Sequence, residues 1–174
     1  MRIVKKLFMI LVIIILAIII LPWIAFPISN NIKLYKFSKQ LYNCKLPNNT
    51  ELIDKASVYG KLNGNGNGLD FATVIVLKSE LDTENIENYY KSRDFHTIKE
   101  KDNPPTMEVG VISSGKIDSK LLEHKSFILD ENSKKDDYYY VIIYDGGYES
   151  YFDINGNWKL YKHYILNLTN KNKS

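Results

Sequence analysis

Residues Leu7 to Ile28 form a run of 22 positions with no charged or amide side chain. As a helix rising about 1.5 Å per residue, the run measures roughly 33 Å, against a hydrocarbon core of roughly 30 Å. A lone segment at that depth has no water for its peptide groups and must satisfy them internally, which selects a helix. Arg2, Lys5 and Lys6 precede the run, and Pro22 and Pro27 lie at its far end, where a kink costs least. Trp23 and Phe26 suit the interfacial layer.

A secretory signal peptide shares the basic start and apolar centre. Its apolar part is shorter, about 7–15 residues, and it closes on a small-x-small site. Here Ala25 is followed by Phe26 and Pro27, and Cys44 lies too far downstream to carry a lipid. The expectation is an uncleaved anchor over residues 7–28, with residues 1–6 as a cytoplasmic tail. Basic residues stand on both sides, but Arg2, Lys5 and Lys6 are packed closest to the span. That favours a cytoplasmic N-terminus and an extracytoplasmic domain at the cell membrane.

Charge then limits the partners. The chain holds 23 Lys and Arg against 20 Asp and Glu. Seven of the basic residues precede Asn48, so the remainder is mildly acidic. Binding to phosphates requires a basic stripe, and no such stripe occurs in the remainder. Nucleic acid is therefore not an expected partner; the bilayer is, together with another membrane or envelope protein. The single cysteine, Cys44, forbids an internal disulfide and reads as a small buried apolar residue.

Past the span, Leu34, Phe37 and Leu41 recur at helical spacing with Lys33, Lys36 and Lys39 between them. Residues 29–45 read as a juxtamembrane amphipathic helix. It either packs on the domain or lies on the bilayer with its lysines toward headgroups. The first is preferred. Pro47-Asn48-Asn49 ends it.

Residues 46–168 are expected to form one α+β domain with a mainly antiparallel sheet and one or two helices. Leu52, Ala56, Val58 and Leu62 line one face of a first strand. Asn63-Gly64-Asn65-Gly66-Asn67-Gly68 supplies the positive φ angles of a hairpin. The strand Leu69–Ser79 is apolar on both faces and belongs in the middle of its sheet. Asp82-Thr83-Glu84 caps a helix ending near Arg93. Further strands are expected at Thr106–Ser113, Ser126–Asp130 and Tyr138–Tyr144. Asp145-Gly146-Gly147 reads as a turn, and a last hairpin turns at Asn155-Gly156. Residues 169–174 read as a polar tail. The predicted core holds Val58, Phe71, Ile75, Leu77, Ile86, Val111, Phe127, Val141 and Ile143.

The segment Gly60-Lys61-Leu62-Asn63-Gly64-Asn65-Gly66-Asn67-Gly68-Leu69, followed by an apolar strand, Ser79 and a helix ending in Tyr89-Tyr90, resembles uncharacterised single-pass membrane-anchored proteins of low-GC Gram-positive bacteria. The resemblance implies an anchor plus a small domain and brings no catalytic residue with it.

Chemistry-bearing motifs are few. His96, His124 and His163 lack metal spacing, and no nucleophile elbow or phosphate loop occurs. No catalytic residue, metal ligand or cofactor is assigned. Asn63, Asn65, Asn67 and Asp70 make one candidate ligand loop, although calcium needs more carboxylates than this stretch offers. Three functions stay open: a tethered binding or protein-interaction module, a cell-envelope hydrolase acting on wall polymer or peptide, and a structural envelope protein. The first is preferred. A His and a carboxylate converging in a cleft would point to the second.

Overall fold

The computed structural model describes residues 2–63, 68–99, 101–112, 116–123 and 137–148. Its first element, α1, is a single helix over Arg2–Tyr42. The apolar run and the amphipathic segment are thus one rod, and the helix passes both Pro22 and Pro27 without ending. Proline removes a backbone donor, and the amide of Asn31 donates 2.9 Å to the Pro27 carbonyl at that stretch. The helix is long and apolar enough to cross a membrane.

What α1 does changes along its length. From Ile3 to Ile28 its large apolar side chains are almost all exposed. From Asn30 onward one stripe turns inward: Asn30, Phe37 and Leu41 are buried, and Leu34 packs against the same core. Spacings of three and four keep these positions on one helical face. Lys36 and Lys39 are exposed. One face of the segment therefore packs on the domain.

Four antiparallel strands follow: β1 (Thr50–Gly60), β2 (Leu69–Ser79), β3 (Thr106–Val111) and β4 (Tyr138–Tyr148), in the order β1-β2-β4-β3. A second helix, α2 (Thr83–Lys91), leaves β2 after an Asp82 cap whose carboxylate accepts from the Asn85 N–H. The α+β class, with a mainly antiparallel sheet, is as expected. So is the β1–β2 pairing about the Asn-Gly segment. Asn49 enters β1 with a φ of 57°, a left-handed turn that asparagine tolerates.

The sheet is buried on both faces. Phe71, Ile75, Leu77, Val141 and Ile143 pack with Phe37 and Leu41 of α1 and with Ile86 and Tyr90 of α2. On the opposite face Ala72, Val74, Val76, Tyr140 and Ile142 meet Leu62, Ile112, Ile117 and Leu122. The latter three come from irregular chain and a single 3-10 turn, Lys120–Leu122. β2 sits between β1 and β4, which explains why it carries apolar residues on both faces.

Three expectations need correction. Leu52 and Val58 do not share a face. The register slips between Leu52 and Asp54, and one extra residue in a strand reverses the inward parity of all that follows. Leu52 accordingly joins the helix-side core while Val58 packs on the other. Val111 is 45% exposed, because it ends an edge strand with a paired neighbour on one side only. Asp145-Gly146-Gly147 is not a turn; β4 runs through it to Tyr148. The strand Ser126–Asp130, Phe127, the hairpin at Asn155-Gly156 and the tail lie outside the described residues.

Candidate functional site

The densest polar assembly among the described residues lies where β2 and β4 meet the loop after α2. Asp145 is its centre. β4 carries this aspartate into a nearly inaccessible position. Its carboxylate accepts from the Ile98 N–H at 2.7 Å, the Lys101 ammonium at 2.8 Å and the Tyr148 hydroxyl. Lys101 also donates to the Gly146 carbonyl at 2.8 Å, and its Nζ lies 4.0 Å from the Tyr148 ring centroid. The Lys99 N–H reaches the Tyr148 hydroxyl at 3.2 Å.

Asp70 sits beside it. This residue, one of the candidate ligands, is buried, and both its oxygens are engaged. Oδ2 accepts from the Leu62 N–H at 3.1 Å, and Oδ1 accepts from the Gly147 N–H at 3.0 Å. Asp70 therefore ties the entry of the Asn-Gly segment to β4. Asn63, the only other member of the candidate loop among the described residues, is half-buried. Asn65 and Asn67 fall outside them.

Glycine is required at two points here. Gly147 has a φ of 80°, a region that side chains resist. A Cβ on Gly146 would run into the Tyr144 hydroxyl and an Asp70 oxygen. The pair that looked like a turn is thus a strand irregularity, opposite a register shift between Leu69 and Phe71.

Electrostatics leave this cluster at rest rather than poised. Burial works against the Lys101 ammonium, but Asp145 and Tyr148 outweigh it and hold its pKa above the ordinary lysine value. Burial, then the neighbouring Asp145, pushes the Tyr148 hydroxyl up. Burial and Asp70 do the same to Tyr144. At neutral pH lysine stays charged and the tyrosines stay protonated. A general base or an amine nucleophile needs the opposite tuning. The arrangement is a clamp joining three chain segments.

A smaller network occupies the other face. Glu108 of β3 accepts from Ser119 Oγ at 2.9 Å, and its second oxygen lies 2.8 Å from the Tyr140 hydroxyl. That hydroxyl also lies 2.9 Å from the Asp118 carbonyl, and its pKa is raised by burial and by Glu108. The network pins the 3-10 turn to the sheet.

The remaining residues of chemical interest do not converge. His96 is exposed; its backbone N–H donates 2.7 Å to Gln40 Oε1, and its carbonyl accepts from Gln40 Nε2 at 3.0 Å. His124 and His163 lie outside the described residues. Cys44 is half-buried, and burial raises its thiol despite nearby Arg93. That is the opposite of an activated thiolate. Among the described residues no three His, Cys, Asp or Glu side chains gather as a metal set.

Sequence reasoning missed Asp145, Lys101, Tyr144 and Tyr148. The available signal was an acid at the end of an aromatic strand, with a second acid, Asp70, across the pairing. No protein-family model, curated protein or solved structure matches the chain.

Proposed function

We propose that this chain is a membrane-tethered module that acts by non-covalent interaction, with its N-terminus in the cytoplasm and its domain outside. The observation that supports the reading is the continuity of α1. One helix supplies both an apolar length fit for a bilayer and the side chains Phe37 and Leu41 at the heart of the domain. Cleavage after the apolar run would spare these residues but remove the rest of the rod. Retention of the anchor keeps the domain within a few helical turns of the lipid, raising its effective concentration toward any partner there.

Protease added to intact protoplasts tests the placement: the domain should be degraded while cytoplasmic markers survive. A protected domain would place it inside the cell. Function is tested by separate losses. Deleting residues 1–28 should impair the phenotype far more than His96→Ala, His124→Ala or His163→Ala. If one such histidine variant, folded and membrane-bound, lost all function, the hydrolase reading would replace this one.

A further inference from the structure

The two sides of α1 meet different surroundings beyond the apolar run. On the side that meets the domain the change comes at Asn30, which is only 7% exposed and is followed inward by Leu34, Phe37 and Leu41. On the opposite side the apolar line continues from Ile24 and Ile28 to Ile32 and Tyr35, by steps of four, four and three. Ile32 is 50% and Tyr35 59% exposed. Lys36 and Lys39 lie on the same outer side, and Lys39 Nζ stands 4.7 Å from the Tyr35 ring centroid. The helix is unbroken throughout, so these positions keep their bearing relative to the span.

Resting on the anchor reading above, we propose that α1 leaves the bilayer tilted. Its Ile32, Tyr35 and Lys36 side lies in the phospholipid headgroup layer, and the domain rides on the upper side. Two arguments set the direction of tilt. The apolar run already exceeds the hydrocarbon thickness by about 3 Å, and reaching Ile32 adds about 6 Å on one side only. Tilting submerges that longer side. The reverse tilt would drive the domain, with its charged surface, into hydrocarbon, which is far more costly. The occupant of the outer face is then lipid: apolar Ile32 against the upper acyl chains, the Tyr35 ring at headgroup level, and the lysine ammoniums on anionic phosphates. The amide of Asn31 spends one of its two N–H donors on the Pro27 carbonyl, and its remaining polar atoms suit the wet headgroup layer.

The test uses the full chain in vesicles containing phosphatidylglycerol, with Cys44→Ser as background. An environment-sensitive fluorophore is placed at Ile32→Cys, Tyr35→Cys or, as the exposed control, Asn48→Cys. Lipids carrying a spin label at the headgroup should quench positions 32 and 35 and leave 48 bright. Lys36→Gln should weaken preference for spin-labelled phosphatidylglycerol by up to about fivefold. Resistance to carbonate extraction with an unquenched probe at position 35 would overturn the tilt alone. Extraction by carbonate would overturn the anchor reading and the tilt with it. Protection at position 35 that disappears on dilution into excess lipid would assign the face to a second copy and overturn the lipid assignment.

Discussion

The two halves of α1 share one backbone and answer to different surroundings. From Leu7 to Ile28 the helix is apolar on every side; from Asn30 onward one stripe is buried and the rest is polar or mixed. The first half is specified by composition, since its side chains are exposed and meet no particular partner in the domain. The second is specified by position, since Phe37 and Leu41 meet particular partners on β2 and β4. Tolerance to change should differ accordingly. A methylene more or less means little in the first half and much in the second, while a charge means the reverse at Lys36 or Lys39.

The largest effect should come from the packed half. Phe37→Ala should cost about 3–5 kcal/mol and Leu41→Ala about 2–5 kcal/mol in denaturant unfolding of the detergent-solubilised protein. Leu11→Ala should leave the same transition unmoved. An equal loss from Leu11→Ala would erase the distinction between the halves.

Next is a charge in the apolar half. Leu16→Arg should oppose insertion by about 3 kcal/mol, read as protein lost from the membrane fraction. Amide exchange in β2 and β4 should be unchanged, because the domain does not rely on Leu16. Slowed or hastened exchange there would show that the halves communicate.

The domain end can also be loosened alone by alkali. Lys101, Tyr144 and Tyr148 have folded pKa values raised above their ordinary 10.5, 10.0 and 10.0. Above those values the unfolded chain releases protons that the fold retains. Stability from these groups is therefore complete below about pH 10 and is lost as pH rises through the raised values. Helicity of the apolar half should persist across the same titration, followed by circular dichroism of a peptide covering residues 1–30. Full unfolding stability at pH 12 would refute the clamp.

The smallest effect is a gain. Among the described residues, Tyr90 Oη is buried with no hydrogen-bond partner, and burial raises its pKa. Removing an unpaired buried hydroxyl should stabilise, so Tyr90→Phe should raise unfolding stability by about 1 kcal/mol. A loss instead would mean that this hydroxyl is paired in solution.

Much of the architecture was legible because local chemistry and global fold agree. The Asn-Gly repeat demanded a hairpin, Asp82 announced α2, and the apolar residues on both faces of β2 matched a central strand. The failures share a cause. The slip at Leu52/Asp54 leaves no residue signature, yet it reverses every inward position after it. Asp145-Gly146-Gly147 carries turn chemistry, but its partners arrive from distant positions: Asp70 accepts from Gly147, while Ile98 and Lys101 donate to Asp145. Pattern reading sees neighbours in sequence, whereas the clamp is made of neighbours in space. Val111 was expected in the core, and its place at the end of an edge strand decided otherwise.

The docking of α1 onto β2 and β4 also dictates an order of events during synthesis. The ribosome delivers Phe37 and Leu41 early and the strand that completes their core, β4, near the end. Between those moments the second half of α1 has nothing to pack against, while the first half can already enter lipid. On the anchor reading, insertion is complete before folding can finish; in either case the late closure joins parts far apart along the chain, the kind of contact that slows folding. Through that interval the helical stripe that will carry Phe37 and Leu41 into the core is uncovered, the state most vulnerable to proteases and to mispairing with its own copies.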